Sequence, residues 1–208
     1  MSRFPPPRRL AGLAGLSGLS LVLAAAGPAP IAGEGLFISP FGEPFRTASG
    51  LSDWFAGADA DRDGLLTLKE FTADGLRFHA RLDADGDGRI DGFENGAYEN
   101  EVAPEILPQS AAFRPGLEGP GAPAPRAQGL DGASSFGLLD EPQPVRGADR
   151  NYDGRITREE QENAAARRFS LLDDAGRGQL ALPPLEARMK ARQAPPSGFG
   201  RFFRRRPD

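Results

Sequence analysis

One six-residue pattern recurs along this chain and limits what the chain can become. Asp59-Ala60-Asp61-Arg62-Asp63-Gly64 returns 24 residues later as Asp83-Ala84-Asp85-Gly86-Asp87-Gly88. Asp149-Arg150-Asn151-Tyr152-Asp153-Gly154 opens a second couple, and Asp173-Asp174-Ala175-Gly176-Arg177-Gly178 follows after another 24 residues. In the first three copies a glutamate closes the unit: Glu70, Glu94 and Glu160. Five constrained positions match a random start about once in a million at average residue usage. Three such matches, two of them at one fixed offset, are a repeat. A merely solvated acidic run would explain neither the glycines nor the placement of the glutamates.

The spacing has a physical cause. Side chains at loop positions one, three and five converge on one point as the chain curls, and the sixth residue must turn with φ > 0, which glycine permits at little steric cost. A hard cation wants six to eight oxygens, which the backbone carbonyl at position seven, the ninth position and a bidentate glutamate at position twelve complete. The first loop offers Asp59, Asp61, Asp63, Leu65 (carbonyl), Thr67 and Glu70. The second offers Asp83, Asp85, Asp87, Arg89 (carbonyl), Asp91 and Glu94. The third offers Asp149, Asn151, Asp153, Arg155 (carbonyl), Thr157 and Glu160. Three calcium sites are expected, the tightest in the second loop, whose five acids exceed the four and three of its neighbours. The fourth copy keeps Asp173 and Gly178 but puts Ala175, Arg177, Ala181 and Pro184 at ligand positions. It is expected to bind no calcium and to serve as structural partner of the third. Position eight is apolar in all four loops (Leu66, Ile90, Ile156, Leu180), as a short strand joining paired loops requires.

The segments around the loops read as helices. Leu51, Trp54 and Phe55 have i, i+3, i+4 spacing. Residues 71–82 and 161–172 each separate two loops by 12 residues, about 18 Å of helix. That is room for one helix serving both loops, with Phe71, Phe78, Phe169 and Leu172 as its buried contacts. Pro142 and Pro144 make the helix entering the third loop short or irregular. The expected fold is all-α: two pairs of hands, residues 48–107 and 138–192, with short β pairing between loops. A Pro- and Gly-rich linker, 108–137, joins them, an irregular segment spans 27–47, and 193–208 is a basic tail.

Composition narrows the chemistry. The chain has no Cys and one His, which excludes thiolate zinc sites, disulfides and a Cys nucleophile, and leaves oxygen chemistry. With no nucleophile constellation or cofactor motif, an enzyme is not expected. Arg3, Arg8 and Arg9 precede an uncharged stretch, Leu10 to Ala26, ending in the small residues Ala24, Ala25 and Ala26. This reads as a cleaved export signal, 1–26, and as a periplasmic or secreted protein. Cleavage removes three positive charges and no acidic ones, taking the net charge from −4 to −7. Nucleic acid is not an expected partner of so acidic a chain.

On these residues the chain resembles the EF-hand superfamily. Within it, the chain is similar to secreted bacterial EF-hand proteins whose loops recur every 24 residues. Ile38-Ser39-Pro40-Phe41-Gly42-Glu43-Pro44-Phe45-Arg46 and Tyr98-Glu99-Asn100-Glu101-Val102-Ala103-Pro104-Glu105-Ile106 resemble segments of alphaproteobacterial-type proteins. The likeness covers roughly 37–107 and 138–190 and implies calcium binding, as sensor, buffer or calcium-stabilised structural protein. The alternative is a calcium-dependent adaptor docking another exported protein, as dockerin modules do. Dockerin loops share the 24-residue offset but commonly end in Asp, and come two to a module. His79 is expected as a half-buried helix residue. The tail alternates Phe199, Phe202 and Phe203 with Arg201, Arg204, Arg205 and Arg206; it reads as a soluble terminus, with contact to anionic lipid as the minor reading.

Overall fold

In each 24-residue repeat a single helix links two loops, and the length of that helix decides the topology. The computed structural model describes residues 35–107 and 131–194. The expected export segment 1–26, residues 108–130 of the expected linker and the tail from 195 lie outside the described residues. Helix α1 (Gly50–Ala58) enters the first loop, and α2 (Leu68–Leu82) runs unbroken from the first loop into the second. Helix α3 (Gly92–Ala97) leaves the second loop and passes into a π-helical turn, Tyr98–Val102. A 3₁₀ turn, Arg146–Ala148, replaces the helix before the third loop, as Pro142 and Pro144 demand. Helix α4 (Arg158–Leu172) joins loops three and four, and α5 (Leu182–Gln193) leaves the fourth. Among the described residues no helix is long and apolar enough to cross a membrane.

Leu66, Ile90, Ile156 and Leu180 are all buried in short strands, but the loops join otherwise than sequence order suggests. Strand β3 (Leu65–Thr67) pairs antiparallel with β6 (Gln179–Ala181), in the register Leu66↔Leu180. Strand β4 (Arg89–Ile90) pairs with β5 (Ile156–Thr157), in the register Ile90↔Ile156. Loop one is therefore bonded to loop four, and loop two to loop three. This corrects the expectation that the fourth loop partners the third. The cause is geometric: 15 helical residues hold loops one and two about 22 Å apart, whereas paired strands lie about 4.8 Å apart. Loops at opposite ends of one rigid helix cannot pair with each other. The two linking helices instead pack side by side, the start of α2 against the end of α4. The two sequence pairs thus interlock instead of standing on either side of a linker.

The aromatic core lies at the end of this sandwich that carries loops one and four. Phe71 on α2 meets Phe41, Trp54 and Phe169 at ring-centroid distances of 4.7, 6.2 and 5.6 Å. Phe41 comes from a hairpin of β1 (Phe37–Ile38) and β2 (Pro44–Phe45), within the stretch expected to be irregular. Its ring lies so close to Gly75 of α2 that a Cβ there would stand 2.6 Å from it. Polar groups fix the hairpin: Glu43 accepts from Arg77 and Arg81, and Asp74 accepts from Arg77 and from the Trp54 indole N–H at 2.8 Å. The Tyr98 hydroxyl donates to the Gly42 carbonyl at 3.0 Å, and Arg46 donates to Glu105 and to the Val102 carbonyl. The stretches 38–46 and 98–106 are therefore folded onto each other.

The last residues of the expected linker also belong to the core. Ala133 and Ser134 are buried, and the Ile38 N–H donates to the Phe136 carbonyl at 3.0 Å. Arg168, 2 % exposed, binds Glu141 through Nε and Nη2, each at 2.7 Å. Composition rich in Pro, Gly and Ala hides this role, because the segment is held by side chains distant in sequence.

Candidate metal centres

Each loop is closed by its own acids. In the first, Asp59 Oδ2 accepts from the Gly64 N–H at 2.9 Å, and Asp63 Oδ1 accepts from the Leu65 N–H at 2.8 Å. Glu70 reaches back over the loop, accepting from the Ala60 N–H at 3.1 Å through Oε1 and from the Thr67 N–H at 3.0 Å through Oε2. The same frame recurs in the second loop: Gly88 to Asp83 (2.9 Å), Arg89 to Asp87 (2.9 Å), Ala84 to Glu94 (2.7 Å) and Asp91 to Glu94 (2.9 Å). It recurs again in the third: Gly154 to Asp149 (3.0 Å), Arg155 to Asp153 (2.8 Å), Arg150 to Glu160 (3.1 Å) and Thr157 to Glu160 (2.9 Å). The sixth-position glycines have φ of +84°, +86° and +80°. Some of these oxygens accept twice: Glu70 takes the Ala60 and Asp61 N–H groups on Oε1 and the Thr67 N–H and hydroxyl on Oε2, so an ion bound there would replace part of this frame.

Whether these oxygens fit an ion is a matter of distance. Two oxygens each about 2.6 Å from one calcium lie no more than about 5.2 Å apart. Asp59, Asp61 and Asp63 bring one oxygen each within 4.8 Å of one another, and so do Asp83, Asp85 and Asp87. The third loop has an amide at position three: Asn151 Oδ1 accepts from the Asp153 N–H at 2.9 Å, while its Nδ2 donates to Asp153 Oδ2 at 3.0 Å. Leu65 and Arg89 lie in β3 and β4, and Arg155 stands immediately before β5. Thr67, Asp91 and Thr157 have a second duty. Each caps the helix that follows, exchanging hydrogen bonds with Glu70, Glu94 and Glu160 as a capping box. The T-x-x-E spacing in the first and third loops signals that role in the sequence itself.

The charges are in tension. The Asp63 N–H draws the Asp61 carboxyl down, but desolvation and repulsion from Asp63, Glu70 and Asp59 outweigh it and hold the pKa above its ordinary value. Glu70 is held below its ordinary value by the N–H and hydroxyl of Thr67. Burial opposes the charge on Glu160, yet hydrogen bonds from Thr157 and Arg150 prevail and lower its pKa. A cation is the group that would relieve repulsion at Asp61 while keeping Glu70 and Glu160 ionised.

The fourth loop curls the same way without the donors. Asp173 accepts from the Arg177 and Gly178 N–H groups at 2.9 and 2.7 Å, and the other ligand positions hold Ala175, Arg177, Ala181 and Pro184. Position four is left-handed in every loop: Arg62 at φ +62°, Gly86 at +75°, Tyr152 at +60° and Gly176 at +62°. Two loops use glycine there and two tolerate the strain, a requirement that Gly86 and Gly176 signal in the sequence. His79 is buried, not half-buried, and its Nε2 lies 2.9 Å from the Ile156 carbonyl. No sequence pattern could have indicated that partner, 77 residues away.

No curated protein and no solved structure matches the chain. Residues 51–73 and 80–94 match the family model described as EF hand, which spans the first two loops with α2 between them. Together with the two triads of aspartate oxygens, that match supports the EF-hand superfamily and a capacity to bind calcium.

Proposed function

We propose that this chain is an exported binding protein that takes up three calcium ions and uses them to hold its loops closed. The ligands would be Asp59, Asp61, Asp63, Leu65, Thr67 and Glu70 in the first loop. Their counterparts are Asp83, Asp85, Asp87, Arg89, Asp91 and Glu94 in the second, and Asp149, Asn151, Asp153, Arg155, Thr157 and Glu160 in the third. The observation that carries this reading is the hydrogen-bond frame from Gly, position seven and Glu, repeated three times. Bound there, calcium would neutralise carboxylates that otherwise repel one another. The export half of the reading rests on the basic start and apolar stretch of residues 1–26. Binding without catalysis accords with a chain that has no Cys and one His, and whose clustered acids are taken up as ligands.

Among sensor, buffer and structural roles, the hairpin favours the structural one. A docking adaptor would need an open apolar groove between the hands, and Phe37, Ile38 and Phe41 are buried among those helices. Calorimetric titration of the full chain with calcium in the presence of magnesium, with circular dichroism before and after, tests the proposal. Three equivalents are expected. Heat for fewer would remove loops from the set, and no heat would sink the reading.

A further inference from the structure

Helix α5 is held along one side. Leu185, Arg188 and Arg192 share a stripe on which the leucine is buried and the two arginines donate to the carbonyls of Ser134, Gly137, Leu138 and Leu139. Glu186, Met189, Lys190 and Gln193, spaced i, i+3, i+4 and i+7, form the opposite stripe. There α5 borders an open groove of about 400 Å³, whose other wall is the start of the hairpin and of α1, with Leu36, Phe37 and Leu51 as apolar lining. Its size falls within the range of ligand pockets, roughly 300–1,000 Å³. Two acids stand at the groove: Glu186 in its wall, and Asp53, which accepts from the groove residues Thr47 and Ser49 at 2.6 and 2.9 Å. Neither forms an ion pair among the described residues, and the lining carries one cation, Lys190.

The chain's own end is placed to cover this groove. Gln193 lines it, and 15 residues follow. From Ala194 to Phe199 the chain can reach about 18 Å, whereas the stripe from Gln193 back to Glu186 is about 10.5 Å long. Pro195-Pro196-Ser197-Gly198 has the composition of a chain reversal. Beyond it, Phe199, Phe202 and Phe203 have the i, i+3, i+4 spacing of one face, and Arg201, Arg204, Arg205 and Arg206 supply cations.

We propose that the groove between α1 and α5 is the seat of the chain's own C-terminal tail. The rings of Phe199, Phe202 and Phe203 cover Leu36, Leu51 and Met189, and the tail arginines meet Asp53 and Glu186. The tail then straps the helix that enters loop one to the helix that leaves loop four, and its aromatic rings are withdrawn from lipid. The proposal does not depend on the calcium reading.

Nuclear magnetic resonance of the full chain tests it. Overhauser contacts are expected between the tail rings and the methyl groups of Leu36, Leu51 and Met189. Changing Phe199, Phe202 and Phe203 together to Ser should abolish them. The same change should speed exchange of the Asp53 amide, which is bonded to the Ser49 carbonyl, by about tenfold or more, and leave Ile90 unmoved. Glu186→Lys should weaken the contacts, and Glu186→Asp should keep them. Equal loosening at Asp53 and Ile90 would mean a global effect and overturn the strap. Contacts that arise only between differently labelled copies would give the groove to a second copy of the chain, and contacts from residues 27–34 would give it to the other end; either result sinks the proposal. So would tail rings that touch none of these methyl groups and shift only when phosphatidylglycerol vesicles are added.

Discussion

The end of the molecule built from loops one and four, and the end built from loops two and three, hold together by different means. At the first, one proposed ligand set sits beside a fourth loop without acids at positions three, five, nine and twelve, and the aromatic rings of Phe37, Phe41, Trp54, Phe71 and Phe169 gather beneath. At the second, the two proposed ligand sets of loops two and three meet across β4 and β5, and the described ring contact is the single pair Phe78 and Tyr98 at 6.2 Å. Apolar burial and ion binding are alternative ways to offset the entropy of ordering a loop. The fourth loop could lose its acids because the core beneath it does not depend on them.

Chelation should break this symmetry most. At calcium a hundred times its dissociation constant, each ion adds about a hundredfold to the folded population. Two ions leaving one end and one leaving the other should separate the two ends in hydrogen exchange by about a further hundredfold. Ile90 and Ile156 amides are expected to lose far more protection than those of Leu66 and Leu180. Equal loss at both strand pairs would mean that the ends are one cooperative unit and the comparison is wrong.

Phe71→Ala strikes the other end. The ring is fully buried and touches three aromatic neighbours, so its loss should cost about 3–5 kcal/mol. Denaturation in saturating calcium measures this, and exchange should show Leu66 and Leu180 loosened ahead of Ile90 and Ile156. A change below about 1 kcal/mol would show that the aromatic cluster is not what holds loops one and four. Gly75→Ala asks the same of the hairpin alone. Its Cβ would push on the Phe41 ring from 2.6 Å, an overpacking worth about 1–3 kcal/mol. A neutral or stabilising result would show the hairpin free to yield.

Local rules made much of this legible. The aspartate triads of the first two loops, the continuous linking helices and the buried apolar residue at position eight all follow from spacing within about 24 residues. What was not legible depends on contacts far apart in the chain. Tandem repeats invite pairing of neighbours, whereas the helix between them, at about 22 Å, forbids it; the length was in the sequence, and its consequence became plain only when set against the width of a strand pair. The hairpin escaped because its strands are two residues each, too short for any period to show, and because Phe41 is placed by Gly75 and not by its neighbours. Ala133 and Ser134 were hidden by a composition that usually marks a linker.

The gentlest test rebuilds what the fourth loop lost. Ala175→Asp, Arg177→Asp, Ala181→Thr and Pro184→Glu together restore the ligand pattern, remove a cation from the site and give α5 the capping box it lacks. The backbone is already prepared, since Gly176 and Gly178 have φ of +62° and +72° and Asp173 already closes the loop. A fourth calcium equivalent is expected by calorimetry. Because β6 is bonded to β3, the new ion should tighten loop one, read at the Gly64 amide, by about fivefold, the lower end of usual coupling. Gly154 should not respond, although loop three is the fourth loop's neighbour in sequence and shares α4 with it. A response at Gly154 without one at Gly64 would mean that coupling runs along the helices, not through the strand pairs, and the division of the molecule into these two ends would have to be redrawn.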